Sequence, residues 1–134
     1  MLRGLTTISF WADDLEAAKA WYTEVLGIEP YYVVPEGYAE FRIGDYQHEL
    51  GLIDRRFAPE SMPREPGGAV IYWHVDDLHG SYARLLAMGA SEYQPITERG
   101  EGFVTAAVVD PFGNVLGIMY NQHYLNVLGA QKND

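Results

Sequence analysis

The stretch Thr6–Leu15, TTISFWADDL, returns 63 residues later as Ala69–Leu78, AVIYWHVDDL. Both copies run an apolar, β-rich segment into an Asp-Asp pair followed by leucine, and repetition at a fixed offset marks a duplicated structural unit. A helical pattern follows each copy. Leu15, Ala18, Tyr22 and Val25 recur at helical spacing behind an aspartate suited to capping, and Leu26-Gly27 supplies the stop. Leu78, Tyr82, Leu85 and Leu86 repeat the pattern before Met88-Gly89, in a helix expected to be about one residue shorter.

Short runs rich in Tyr, Val, Ile and Phe come next, separated by turn residues. In the first half they are EPYYVV (29–34), YAEFRI (38–43) and YQHELGLI (46–53). In the second they are SEYQPI (91–96), EGFVTAAVV (101–109) and NVLGIMYN (114–121), the last two joined by the turn Asp110-Pro111-Phe112-Gly113. Each half therefore reads strand, helix, strand, strand, strand. Module one covers about 1–53 and module two about 69–121. Between them 54–68, DRRFAPESMPREPGG, holds three prolines and no periodicity, which marks a surface linker. The tail, 122–134, is expected to make one short helical turn and then fray. The glycines around Gly100 and Gly102 suggest a hairpin rim or lid.

With 134 residues, 48% of them hydrophobic, the chain 1–134 fits one domain with a real core. Cysteine is absent, which excludes disulfides, thiolate zinc sites and cysteine nucleophiles. The opening MLRGLTTISFWADDLE lacks a basic segment followed by an apolar run, and no stretch approaches ~18 continuous apolar residues. A cytoplasmic, non-membrane location is the expectation. The formal charge of −10 keeps the protein soluble, repels phosphate backbones and anionic lipid, and favours cationic ligands. Nucleic acid and membrane are therefore not expected partners.

Alternation along the strands assigns faces. In the first strand Thr6, Ile8 and Phe10 oppose Leu5, Thr7, Ser9 and Trp11; in the fourth, His48, Leu50 and Leu52 oppose Gln47, Glu49, Gly51 and Ile53. The fifth sets Ala69, Ile71, Trp73 and Val75 against Val70, Tyr72 and His74. The eighth sets Leu116, Ile118 and Tyr120 against Val115, Gly117, Met119 and Asn121. One set is almost uniformly apolar, as a helix-covered face requires. The other is polar, aromatic and punctuated by glycine, the composition of a ligand cleft. His48 stands out on the apolar face and reads as a satisfied or sheet-edge histidine.

The pieces SFWADDLEAAKAWYTEVLG, WHVDDLHGSYARLLAMGA and VVDPFGNVLGIMY, in this order and spacing, resemble the vicinal-oxygen-chelate superfamily, the group of glyoxalases, bleomycin-resistance proteins and ring-cleaving dioxygenases. The resemblance covers about Leu2 to Asn121. It implies an α+β fold in which two βαβββ modules form curled mixed sheets around a central cavity. It also implies metal-ligand positions on the first and last strands of each module, which fall here at Thr7, Glu49, Val70 and Gly117. A matching of LGL with LGI would put Gly51 at the fourth-strand position instead. Valine and glycine offer no lone pair, so only Glu49 is of ligand type and no metal site is expected. A constellation of His74, Glu49 and His123 is the alternative.

Glu49 in an apolar and aromatic cleft requires an answering group: a cationic ligand, a proton, or an arginine of a second copy. Exposure in a wide cleft would remove the requirement. His74 beside Asp76 has the makings of a general base, although Asp76 and Asp77 read first as helix caps. Glu49 and His74 are the catalytic candidates. Thr7, Ser9, Trp11, Glu49, Tyr72, His74, Phe103 and Met119 are the expected ligand-binding set, with Trp11, Tyr72 and Phe103 able to stack on a flat or cationic molecule. Trp21, Tyr22 and Trp73 read as core or interface. The resemblance implies a homodimer, without cofactor, that sequesters a cationic or aromatic small molecule in the manner of the bleomycin-resistance branch. The alternatives are a lyase, isomerase or dioxygenase with an atypical divalent-metal site, and a non-catalytic module whose cavity is filled.

Overall fold

Two aspartates start the two long helices. The Asp14 side chain accepts a hydrogen bond from the Ala17 N–H and that of Asp77 accepts one from the Gly80 N–H, so each answers a donor that a helix N-terminus leaves open. In the computed structural model, which describes residues 1–132, helix α1 spans Leu15–Leu26 and α2 spans Leu78–Ala87. Gly27 ends α1 in a left-handed conformation, φ 69°, that lets its N–H reach the Thr23 carbonyl. Met88 caps α2, which is two residues shorter than α1 rather than one.

The strands are β1 Thr7–Ala12, β2 Tyr32–Val34, β3 Tyr38–Ile43, β4 His48–Asp54, β5 Tyr72–His74, β6 Ser91–Gly100, β7 Phe103–Val109 and β8 Val115–Asn121. They form two four-stranded sheets, ordered β1-β4-β3-β2 and β5-β8-β7-β6. In each, the first strand of the module lies parallel to the last, and the other pairings are antiparallel. This is the expected α+β, βαβββ arrangement in duplicate. The chain divides into two compact units, Met1–Arg64 and Glu65–Asp134, and the division falls inside the proline-rich stretch expected as linker. There Asp54 still belongs to β4 and caps a 3-10 turn, Arg55–Phe57. Asp13 pairs with Arg55 at 3.5 Å and Arg64 at 3.1 Å, fastening this segment to the start of α1.

The cores lie where alternation put them. In the first unit Ile8, Phe10, Ala39, Phe41, Leu50 and Leu52 are buried with Leu15, Ala18 and Tyr22 of α1. Tyr22 meets Phe10 at 6.2 Å and Trp21 edge-on at 4.8 Å between ring centroids. In the second unit Ala106, Val108, Leu116 and Ile118 are buried with Leu78, Tyr82 and Leu85 of α2. Trp21 and Trp73 are only half-buried. His48 does not lie at a sheet edge: it opens the interior strand β4 and stacks on Tyr46 at 5.7 Å. Buried Asp110 closes the turn before β8 by accepting from the N–H groups of Phe112 and Asn114.

Three elements differ from expectation. β5 has three residues and not the longer run from Ala69, and β6 continues past Ile96 to Gly100. As an outer strand β6 tolerates Pro95 and pairs with β7 through irregular registers. The rim turn then holds Gly102 at φ 79°. The tail forms a helix, α3 Gln122–Lys132, in place of one turn; residues 133–134 lie outside the described part. Asn121 caps it by accepting from the Tyr124 N–H at 3.0 Å, and Gln122 bonds Asn126 one turn on.

Gly51 and Gly117 sit at equivalent places on β4 and β8, and each lets a tyrosine ring lie across the sheet. A methyl group at Gly51 would fall 2.7 Å from the Tyr38 ring; at Gly117 it would fall 2.7 Å from the Ile71 carbonyl oxygen and 2.8 Å from the Tyr72 ring. A ring can swing aside and a backbone carbonyl cannot. Gly117→Ala is expected to lower stability by about 1–3 kcal/mol in denaturant unfolding, and Gly51→Ala by clearly less. Equal losses would contradict this assignment.

Candidate functional site

Pairing register places the residues of the uncovered face of module one in three rows across β1, β4 and β3. Thr7 lies beside Glu49 and Glu49 beside Arg42; Ser9 beside Gly51 and Gly51 beside Glu40; Trp11 beside Ile53 and Ile53 beside Tyr38. The side chains link up across these rows. Thr7 Oγ1 donates to Glu49 Oε2 at 2.6 Å, and Arg42 Nη2 lies 3.8 Å from Glu49 Oε1. Arg42 Nε donates to Glu40 Oε2 at 3.3 Å, and Tyr38 Oη donates to Glu40 Oε1 at 2.9 Å. The Arg42 guanidinium carbon sits 3.6 Å from the centroid of the Tyr31 ring.

The result is a chain Thr7–Glu49–Arg42–Glu40–Tyr38 with two carboxylates and one guanidinium. Glu40 is the more enclosed acid, its side chain 12% exposed against 31% for Glu49. Burial, then the hydrogen bond to Glu40, then the negative charge of Glu40 and of Glu49, push the Tyr38 phenol up to about 12. Tyr38 is therefore a fixed donor through the whole neutral range.

Glu49 thus has an answering charge within its own module, Arg42. Thr7 and Ser9 are exposed and Trp11 is half-buried, all on the face expected. Tyr31, Tyr38, Glu40 and Arg42 were not in the expected set. The signal for three of them is the alternation of YAEFRI, which puts Tyr38, Glu40 and Arg42 on one side of β3; only the pairing with β4 shows that this side is the face of Glu49.

In module two, Tyr72, Gly117, Ala107 and Gln94 form one row, and His74, Met119, Thr105 and Thr97 the next, with Phe103 beside Asn121. Tyr72 Oη donates to Gln94 Oε1 at 2.7 Å, and Arg99 Nε donates to Thr105 Oγ1 at 3.1 Å. Tyr72, Phe103 and Met119 share this face as expected. His74 is differently engaged. Its Nδ1 accepts from the Asn121 backbone N–H at 3.1 Å, which leaves the proton on Nε2 to donate to Asp76 Oδ1 at 3.1 Å. The ring stacks on Tyr124 at 4.8 Å and 9°, and the side chain is 8% exposed. Nδ1 ties β5 to β8, Nε2 is taken by Asp76 just beyond β5, and the ring packs on α3, so this geometry offers no free base. Of the Asp pair only Asp77 caps α2; Asp76, expected to cap with it, bonds His74 instead.

The metal positions of the resemblance do not fit a divalent ion. Thr7 pairs with Glu49 whereas Tyr72 pairs with Gly117, so by the offset of the repeat it is Gly51 that matches Gly117, and Val115 that matches Glu49. Val70 and Val115 supply no ligand atom, Gly117 has no room for a side chain, and both oxygens of Glu49 already face Thr7 or Arg42. Among the described residues no group of three or more His, Cys, Asp or Glu side chains gathers as a metal site. A groove of about 540 Å³ on module one, lined by Glu16, Lys19, Thr23, Glu29, Pro30 and Val33, contains none of the expected site residues.

Fold and sequence now place the chain. It belongs to the Glyoxalase/Bleomycin resistance protein/Dioxygenase superfamily, whose sequence model matches residues 4–118. The chain is similar in fold to a glyoxalase-related enzyme from Fulvimarina pelagi, at 21% identity over 90% of this chain and 89% of that one, TM-score 0.71. It is also similar to a lactoylglutathione lyase from Agrobacterium tumefaciens, at 22% identity over 89% and 94% of the two chains, TM-score 0.67. A bleomycin resistance determinant encoded on the transposon Tn5 matches at 21% identity over 90% and 99%, TM-score 0.64. Identities this low speak for the fold alone. No curated protein sequence matches the chain. Among the described residues no helix is long and apolar enough to cross a membrane.

Tyr38 reports on the network directly. Glu40→Gln removes the charged acceptor while leaving the burial, so the Tyr38 phenol should titrate below about 12 but above the ordinary 10 in a spectrophotometric pH titration. Because the folded value is the raised one, the stabilisation from protonated Tyr38 is complete below about pH 10 and is lost as pH rises through about 12. An unchanged Tyr38 titration in Glu40→Gln would contradict the assigned network.

Proposed function

We propose that this protein binds a small organic cation or flat aromatic molecule on the uncovered sheet face of module one, without a metal. The observation that carries the reading is the Thr7–Glu49–Arg42–Glu40–Tyr38 chain: five polar side chains, two of them acids, on a face that also presents Trp11, Tyr31 and Tyr32. A half-enclosed carboxylate beside aromatic rings attracts a cation more strongly than the same carboxylate in open water, and the overall charge of −10 adds a long-range pull of the same sign. No turnover is assigned: both ring nitrogens of His74 are bonded, and Glu49 accepts from Thr7 and faces the Arg42 guanidinium. The reading includes a homodimer in the cytoplasm; Tyr31, Tyr32, Val33 and Val34 are exposed at the outer strand β2, apolar surface suited to a second copy.

The test is calorimetric titration with cationic glycopeptide and polyaromatic drugs. Saturable binding is expected for at least one of them, weakened about tenfold in Glu49→Gln, the loss that one charge-assisted contact represents. It should weaken further with added salt. Absence of saturable binding by any of these compounds would remove the support for this function.

Elemental analysis of protein purified without chelators should find no stoichiometric zinc, nickel or iron. A stoichiometric metal that disappears in Glu49→Gln would replace binding with the enzymatic alternative.

A further inference from the structure

Arg42 stands where a ligand's cation would be held. Its guanidinium lies over Tyr31 at 3.6 Å, bonds the buried Glu40 at 3.3 Å and approaches Glu49 at 3.8 Å. A flat cation with a ring on one face and carboxylates at its edge is the general way a protein holds guanidinium or ammonium groups. The hold is uneven. Arg42 keeps 36% exposure, and its distance to Glu49 is beyond a direct hydrogen bond, whereas Thr7 binds the same carboxylate at 2.6 Å. If the guanidinium leaves, Thr7 still donates to Glu49 and Tyr38 still donates to Glu40. Neither acid is stranded, and the long arginine stem can turn out to solvent with no change in backbone. The guanidinium is the exchangeable member of the network.

Building on the function proposed above, we infer that Arg42 is an internal occupant of the cation site, an autoinhibitory contact that a ligand must displace. A group tethered on the neighbouring strand competes at an effective concentration on the order of millimolar or above. A simple cation therefore competes poorly. A ligand that joins its cation to a flat ring adds stacking that Arg42 cannot supply, and this selects aromatic cations over small ones.

The test compares full-length wild type with Arg42→Ala, titrated by NMR with methylguanidinium as a mimic of the displaced group. Arg42→Ala should bind it saturably and about tenfold more tightly than wild type, and the added Glu40→Gln change should abolish the gain. Equal affinities, or no binding by either protein, would overturn the inference. Should Arg42→Ala not fold, Arg42→Lys, which lacks the planar fork, should show a smaller gain in methylguanidinium affinity, and no gain there overturns it equally. In wild type, saturation with an aminoacridinium should shift the Arg42 Nε–H signal towards that of a solvated arginine; an unmoved signal at saturation counts against displacement. Failure of wild type to bind any aromatic cation while Arg42→Ala gains methylguanidinium sinks the proposed function and keeps this inference. The reverse pattern sinks only the inference.

Discussion

The parallel pairing of β1 with β4 is the constraint on which the candidate site depends. Side chains in a strand alternate with period two, so a slip of one residue would turn Thr7, Ser9 and Trp11 into the core and expose Ile8 and Phe10. The register is held from the other side of the sheet, where Ile8 meets Leu50, Phe10 meets Leu52, and all four are buried under α1. Asp14 contributes by fixing where the strand ends and the helix begins. Thr7 therefore reaches Glu49 because the opposite face is apolar; the network is positioned by the core and not by its own bonds.

Duplication has produced the same frame twice with different contents. The second aspartate of each Asp-Asp pair caps a helix, and the first is spent elsewhere: Asp13 on Arg55 and Arg64, Asp76 on His74. Gly51 and Gly117 both leave room for a tyrosine ring. The residues around those rings diverge. Module one surrounds Tyr38 with Glu40, Arg42 and Glu49, whereas module two answers Tyr72 with the neutral amide of Gln94. Paired charges therefore surround the tyrosine of module one and a neutral amide that of module two.

The repeat, both helices, their caps and the buried faces were legible because each rests on a local period or on a residue type with one dominant use. That Glu49 lies on the open face was legible from β4 alone. Its partner was not. Glu49 and Arg42 are neighbours only through the antiparallel register of β3 on β4; the alternation of YAEFRI sets Tyr38, Glu40 and Arg42 on its polar side, but nothing within it says which strand lies alongside or in what register. The same limit applies to His74, whose bond from Asn121 depends on β5 pairing with β8 and whose stacking on Tyr124 depends on an α3 longer than its weakly amphipathic sequence suggests. Length of β5 and β6 followed tertiary pairing over propensity, as outer strands commonly do.

A face built only to complete a fold has cheaper solutions than this one. Enclosing Glu40 costs desolvation that apolar side chains of similar volume would avoid, and networks of this kind contribute little net stability even when every member is bonded. Here the members are bonded in series: Thr7 and Tyr38 hold the outer ends, and Arg42 spans the two acids. Loss of either acid would leave Arg42 half-answered, while loss of Arg42 leaves two acids each with a hydroxyl donor and an unmet charge. That asymmetry gives the face a preference for a cation wherever one can be found, inside the chain or outside it. A sheet whose core already holds Phe41, Leu50 and Leu52 has no packing need for such a preference, and it is this surplus that the proposed recognition of a positively charged molecule would use.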